Sequence, residues 1–234
     1  MWGCPVAAVI TVQSAAGLVR SHALDAGLVA EQIEEALAHH PATVMKTGAL
    51  GSSANVRAIR ATLARRPRLL SVVDPVLVPT RGTSARLLDR GALSGMTSLC
   101  EQATVVTPNA AEASALTGIR VRDVDSMARA AEDLVQRGAR AALVKGGHVA
   151  GDRAVDVFAT RAGVVRLSGP RHAVGEVHGT GCTLASLVAG RLATSENADE
   201  DALVEAARWS KRVLGRALAR ALRIGDGMRV VAPR

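Results

Sequence analysis

The chain has 234 residues, a length that suits one α/β domain, and its 48% hydrophobic against 21% charged residues exclude intrinsic disorder. No apolar run approaches the ~20 residues a membrane span requires, and the start Met1-Trp2-Gly3-Cys4-Pro5-Val6 lacks the basic region of a secretory leader. A net charge of +8 could draw nucleic acid, but the basic residues are scattered and three aromatics leave little for base stacking, so neither nucleic acid nor a membrane is an expected partner. Cys4, Cys100 and Cys182 are odd in number and far apart, without metal or disulfide spacing, which points to a reduced, cytoplasmic protein. Only Lys46, Lys145 and Lys211 are lysines among the 29 basic residues, the rest being arginine, and two of the three adjoin glycine turns. A lysine retained in so arginine-rich a chain points to a role for its compact ammonium.

Short β-branched runs alternate with longer helical patterns. Val6 to Val12 reads as a strand, and Leu28 to Ala38 as a helix with Leu28, Val29, Ile33 and Leu37 near helical spacing. A strand over Thr43 to Lys46 ends at Thr47-Gly48, and Ser53 to Arg65 forms a helix capped by Ser52 or Ser53. Leu69 to Val73 is a strand stopped by Asp74-Pro75, and Gly82 to Leu99 holds helical pieces broken by glycines. A strand over Thr104 to Val106 runs into Thr107-Pro108-Asn109, followed by helices over Ala110 to Leu116 and Ser126 to Arg137. Ala141 to Val144 is a strand ending at Lys145-Gly146-Gly147, and Val155 to Ala159 with Val164 to Leu167 forms a hairpin. A glycine turn at 179–181 opens a helix reaching Leu192, and a last helix covers Glu200 to Leu222, its arginines on a solvated face. The alternation predicts a mostly parallel sheet between two layers of helices, a three-layer αβα domain.

In such sheets ligands gather at the carboxyl ends of the strands. Gln13, Lys46-Thr47-Gly48, Asp74-Pro75, Thr107-Pro108-Asn109 and Lys145-Gly146-Gly147-His148 fall at predicted strand ends. Turn chemistry explains their glycines and prolines, but not an acid, an amide and lysines in the same places. In His178-Gly179-Thr180-Gly181-Cys182-Thr183 the alternating glycines let backbone N–H groups converge where a helix begins, an anion hole suited to a phosphoryl group. Cys182 stands in that first turn, where the helix dipole is expected to lower a thiol pKa and ready it to take a proton from a hydroxyl; a tight turn beside a small buried cysteine is the competing reading. Asn109 and Glu112 allow two readings, a helix cap or a Mg²⁺ and phosphate site. Lys145 likewise reads either as a phosphate ligand or as a surface lysine before a turn, and Asp74 as a metal-shell carboxylate or a turn-starting residue. The six histidines show no metal spacing, and no Walker-type Gly-x-x-x-x-Gly-Lys-Ser/Thr is present.

Six stretches together resemble the hydroxymethylpyrimidine/phosphomethylpyrimidine kinases of the ribokinase-like superfamily. They are Val9-Ile10-Thr11-Val12-Gln13-Ser14, Lys46-Thr47-Gly48-Ala49-Leu50, Val73-Asp74-Pro75-Val76, Thr107-Pro108-Asn109-Ala110-Ala111-Glu112-Ala113, Val144-Lys145-Gly146-Gly147-His148 and His178-Gly179-Thr180-Gly181-Cys182-Thr183. They follow the family's order and cover nearly all of the chain, treated as one domain over 1–234. The resemblance implies an ATP-dependent, Mg²⁺-assisted phosphotransferase of thiamine biosynthesis acting on hydroxymethylpyrimidine or its monophosphate. It implies Gln13 on the aminopyrimidine edge, Ala49 and Val76 along the ring, and Cys182 as base or positioning group for the substrate hydroxyl. It further implies Gly179, Thr180 and Gly181 as the anion hole, Lys145 and Asn109 on ATP, and Glu112 with Asp74 around Mg²⁺. Pyridoxal is the rival substrate, a non-catalytic pyrimidine- or nucleotide-binding homologue is the rival of another class, and a homodimer stays open. One departure stands out: the family usually places a strand, a Ser-Gly-Gly-Ala-Gly loop and a helix ahead of the segment matching Gly3-Cys4, about 35 residues on the scale of a βα unit. The absence of that unit is expected to expose part of the sheet and open the substrate site.

Overall fold

The computed structural model describes residues 3–14, 17–77, 88–89, 91–147, 149, 151–172, 177–225 and 228–231. Its centre is a six-stranded sheet of β3 (Val44–Thr47), β4 (Leu70–Val73), β5 (Val105–Val106), β6 (Ala141–Val144), β7 (Arg153–Thr160) and β8 (Gly163–Pro170), in that spatial order. The strands β3 to β6 run parallel, and the hairpin β7–β8 continues the sheet antiparallel.

Side-chain parity along these strands decides what lies on each face. Val73, Val106, Ala142, Val144, Val157 and Ala159 join one core with α1 (Ala26–His39), α2 (Ser53–Arg65), α3 (Leu93–Glu101), α4 (Ala110–Thr117) and α5 (Val124–Gln136). Their alternates Val72, Val105, Ala141, Leu143 and Phe158 join a second core with α6 (Thr180–Leu192) and α7 (Glu200–Leu218). Each fully buried Val or Leu contributes about 1.5–3 kcal/mol, so these two cores fix the layer order. The three-layer αβα class expected from the sequence is the one found.

The helices start where the sequence places acceptors. Ser52 caps α2 by accepting from Asn55 N–H at 3.1 Å, and Asp25 caps α1 through Gly27 N–H at 2.9 Å and Leu28 N–H at 3.1 Å. Gly51 adopts φ +78°, and a Cβ there would lie 2.7 Å from Ala23 Cβ, so only glycine lets the loop after β3 meet the chain entering α1.

Two expectations need correction, and one element was not expected. The strand expected over Val6 to Val12 does not enter the central sheet: β1 (Val9–Ser14) turns back on β2 (Gly17–Ala23) as a separate antiparallel hairpin. Its Ile-Thr-Val-Gln alternation is that of a half-solvated strand, unlike the continuous apolar runs of β4 and β6. The strand β2 itself escapes the sequence reading. Second, the last helix stops at Leu218, and Leu222 belongs to β10 (Leu222–Ile224), which pairs with β11 (Met228–Val230) and through it with β9 (Val177–His178). Of the helical pieces expected over Gly82 to Leu99, residues 82–87 and 90 lie outside the described residues, as does His148; residues 88, 89, 91 and 92 are not helical, and α3 begins at Leu93.

Candidate active site

Parity also builds the site. Val44, Val72, Val105 and Leu143 face the α6/α7 core, so the residues two positions further on, Lys46, Asp74, Thr107 and Lys145, fall on that same face at the carboxyl ends of four neighbouring parallel strands. The amino end of α6 covers this row.

Lys145 is the hub. Its Nζ donates to Asp74 Oδ1 at 2.9 Å and lies 3.9 Å from Glu112 Oε2. A Cβ built on Gly181 would stand 3.2 Å from Lys145 Nζ, so the ammonium lies against the first turn of α6. Asp74 is 2% exposed and also accepts from Thr107 Oγ1 at 3.3 Å. The backbone of Lys145 bridges to Asn109 and donates to Pro108 O at 2.8 Å, which locks the end of β6 to the entrance of α4.

Asn109 and Glu112 form a full capping box: Asn109 Oδ1 accepts from Glu112 N–H at 2.9 Å and Glu112 Oε2 accepts from Asn109 N–H at 2.8 Å. The capping reading therefore holds, and the same bonds aim Glu112 at Lys145. Burial pushes the Glu112 carboxyl above its ordinary value; Lys145 and the Asn109 N–H pull it back, while Asp74 adds to the rise.

Gly179 caps α6 in the left-handed conformation at φ 82°, without a side-chain cap. The first bond of the helix is Thr183 N–H to Gly179 O at 2.9 Å, which leaves the N–H groups of Thr180, Gly181 and Cys182 outside the helical ladder. Thr180 Oγ1 donates to Val177 O at 2.8 Å and steadies the turn.

Cys182 corrects an expectation. Its thiol is raised above the ordinary value, not lowered: crowding by protein is the largest cause, Asp74 and Glu112 add to it, and Lys46 and Lys145 oppose it. The residue still reaches solvent. Two carboxylates and desolvation thus outweigh two ammoniums here. Lys46, which the sequence singles out as a retained lysine at a strand end and in a matching stretch without a stated role, belongs to the site: its Nζ lies 3.1 Å from where a Gly48 Cβ would stand, and its charge acts on Cys182.

The residues proposed for a ring lie on other elements. Ala49 and Val76 are half-buried just beyond β3 and β4, whereas Gln13 is exposed on the hairpin. Asn55, which the sequence reading missed, joins these parts: its Nδ2 donates to Leu50 O at 2.7 Å, Ala8 O at 3.1 Å and Leu24 O at 3.3 Å, tying the foot of the hairpin to the loop that carries Ala49. An open, largely apolar groove of about 540 Å³ begins at Cys182 and Thr183 and follows α6 past Leu187 to Arg191, which lies over Trp209. It meets the polar cleft only at those first two residues.

Among the described residues no three His, Cys, Asp or Glu side chains converge as a metal-holding group. Asp74 and Glu112 nonetheless supply hard, buried oxygens, two carboxylates beside one ammonium, and burial first, with Asp74 adding to it, raises Glu112 against the pull of Lys145. That donor set fits a Mg²⁺ held mainly by water and phosphate oxygens.

Comparison with known proteins bears directly on this cleft. The family model described as phosphomethylpyrimidine kinase matches residues 1–232. The chain belongs to that family. It is 36% identical over 231 residues to the hydroxymethylpyrimidine/phosphomethylpyrimidine kinase of Rhizobium meliloti, a match covering 97% of this chain and 84% of that protein. It is 38% identical over 227 residues to the thiamine biosynthesis bifunctional protein ThiED of Geobacter sulfurreducens, covering 97% of this chain but 45% of that one, so it spans less than half of this longer relative. Among solved structures, the pyridoxal kinase from Staphylococcus aureus in complex with AMP-PCP and pyridoxal is similar with a TM-score of 0.83, 25% identity, and coverage of 96% of this chain and 80% of that one. The ribokinase-like architecture expected from the motifs is thus the family's own. No helix among the described residues is long and apolar enough to cross a membrane.

Proposed function

We propose that this chain is an ATP-dependent kinase that phosphorylates hydroxymethylpyrimidine, or its monophosphate, for thiamine biosynthesis. One observation carries the reading: the Lys145 ammonium, 2.9 Å from Asp74, lies against the amino end of α6, where three backbone N–H groups stand free of the helix beside Cys182. A phosphoryl group in transit spreads charge over its equatorial oxygens, and preset N–H groups with a fixed ammonium neutralise that charge without reorganising.

In this reading Lys145 and the amide nitrogen of Asn109 hold ATP phosphates, since the Asn109 oxygen is committed to its cap. The N–H groups of Thr180, Gly181 and Cys182 receive the group in transfer. The raised thiol of Cys182 favours the positioning role over that of a resting thiolate base. A loose transition state needs little activation of the nucleophile, so the substrate hydroxyl can give up its proton late. Asp74 and Glu112 would hold Mg²⁺ through water, and the ion would supply positive charge against the phosphate oxygens. Gln13 would meet the aminopyrimidine edge, with Ala49 and Val76 along the ring. We assign the protein to the cytoplasm, and a homodimer is favoured by the exposed Ile10 and Val12 of the hairpin.

The test is a phosphorylation assay with Mg·ATP and, separately, hydroxymethylpyrimidine, its monophosphate and pyridoxal. Turnover on either pyrimidine supports the proposal. Turnover on pyridoxal alone would favour the second reading, to which the similarity with the pyridoxal-bound kinase points. Ligand binding without turnover on any alcohol would refute the kinase and leave a binding protein.

A further inference from the structure

The third lysine has no place in the mechanism so far. Lys211 lies on α7, where its Nζ donates to Asp156 Oδ2 at 2.7 Å. The two side chains are only 16% and 5% exposed, so this is an interior pair rather than a surface contact. The other oxygen of Asp156 accepts from the backbone N–H of Gly146 at 2.8 Å, in a bond that is itself buried. Gly146 is the residue after Lys145.

The geometry around this bond is tight. A Cβ on Gly146 would fall 1.8 Å from Val155 O and 2.8 Å from Met127 Cε, so the turn is pressed onto β7 and α5. Gly169 on β8 leaves the space through which the Lys211 stem passes, with a built Cβ 3.4 Å from Lys211 Cε. By parity Asp156, two residues before Phe158, faces the α6/α7 layer, the same face on which Lys145 stands. Helix α7 therefore reaches through the Lys211–Asp156 pair to the backbone at which the Lys145 side chain leaves its strand.

We propose that Lys211 and Asp156 are positioning residues for Lys145. Asp156 orients the Lys145-Gly146 turn through the Gly146 N–H, and Lys211 fixes the Asp156 carboxylate so that its acceptor stays aimed. This inference rests on the assignment of Lys145 to the outer phosphates of the nucleotide. It involves neither the alcohol nor the nucleotide base. Small displacements of a fixed cation matter disproportionately at such sites, where about 1 Å can cost two orders of magnitude in rate.

The experiment compares dissociation constants for AMP-PCP and for AMP in wild type, K211M, D156N, K145M and the K145M/K211M double variant, each checked by thermal melting. Lys211→Met and Asp156→Asn are expected to weaken AMP-PCP about ten-fold while leaving AMP within two-fold, since AMP lacks the outer phosphates. Lys211→Met is expected to add nothing once Lys145 is Met, because a positioning effect vanishes with the group it positions. Asp156→Asn keeps an acceptor for Gly146 while losing the charge pair, and it carries the test if the Met variant does not fold. Equal weakening of AMP-PCP and AMP, unchanged AMP-PCP binding, or the same loss in both Lys145 backgrounds would overturn the inference. Wild-type AMP-PCP binding by K145M would instead overturn the Lys145 assignment on which it rests, and so the two failures are distinct.

Discussion

Gly181→Ala separates function from stability at a single carbon. The added Cβ would stand 3.2 Å from Lys145 Nζ and 3.9 Å from its Cε, so the ammonium has to retreat by a few tenths of an ångström. It is not free to do so at no cost, because Asp74 Oδ1 holds it at 2.9 Å and Glu112 Oε2 stands at 3.9 Å. A hydrogen bond from a charged group is worth about 1.5–3 kcal/mol, so displacing the ammonium from the phosphate oxygens it is proposed to hold costs about 1–2 kcal/mol, or roughly five- to thirty-fold in affinity for the nucleotide. The same methyl group intrudes on the N–H cradle where phosphate oxygens are proposed to sit. Folding responds in the opposite sense, since alanine replaces glycine at the second position of α6 and reduces the backbone entropy lost on folding by about 0.5–1 kcal/mol. The strained Lys145–Asp74 contact offsets that gain, so the variant should bind AMP-PCP five- to thirty-fold more weakly in titration calorimetry while melting close to the wild-type temperature. Unchanged AMP-PCP binding in a folded variant would remove Lys145 from the cradle and with it the observation that carries the proposed function.

Three further outcomes follow from the same cleft. The folded-state pKa of Glu112 lies above its ordinary value of about 4.5, so the folded protein binds this proton more tightly than the unfolded chain, and stability falls as pH rises through that value. Glu112→Gln removes this cost: it should melt higher than wild type at pH 7–8, with the gap closing toward pH 4.5, yet lose phosphoryl transfer; a lower melting temperature at pH 8 would contradict the sign. Cys182, raised above its ordinary value, should react with iodoacetamide in a Cys4→Ser background slowly at pH 7.5 and progressively faster above pH 9, followed by intact mass; rapid labelling at pH 7 would mean an activated thiolate. Asn55→Ala removes a donor from the carbonyls of Ala8, Leu24 and Leu50, of which Ala8 O and Leu50 O keep the N–H groups of Leu24 and Ser52, and should cost about 1–3 kcal/mol in urea unfolding, whereas a loss below about 0.5 kcal/mol would deny that Asn55 ties the hairpin to the loop.

Local signals made much of this molecule legible. Continuous apolar runs marked β4, β5 and β6, and the glycine turn at 179–181 marked the start of α6, because buried parallel strands and helix starts leave marks within a few residues. The hairpin β1–β2 was harder: alternation announces a strand but not which sheet it joins, and the tertiary pairing of Val12 with Arg20 is decided by a bulge the sequence does not advertise. At the site, strand parity carries the arrangement. Counting in twos from Val44, Val72 and Leu143 already puts Lys46, Asp74 and Lys145 on one face. What no spacing could give was the partner of each charge, since Asp74 and Lys145 lie 71 residues apart, and Asp156 and Lys211 lie 55 apart.

The rarity of lysine in the chain acquires a physical account once these partners are known. Each of the three lysines passes against a glycine: Lys46 over Gly48 at 3.1 Å, Lys145 under Gly181 at 3.2 Å and Lys211 across Gly169 at 3.4 Å, measured to the Cβ each glycine lacks. Arginine serves elsewhere through its fork of donors, as where Arg171 reaches the carbonyls of Gly147, Val149, Gly151 and Arg153 and Arg66 grips both oxygens of Glu34. Inside the cleft a planar guanidinium is wider than an ammonium and presents five donors, and Lys145 has Asp74 on one side and the first turn of α6 on the other. Lys145→Arg therefore preserves the charge and loses the fit. It should bind AMP-PCP no better than Lys145→Met, and wild-type affinity in the arginine variant would show that charge alone, without shape, holds the nucleotide.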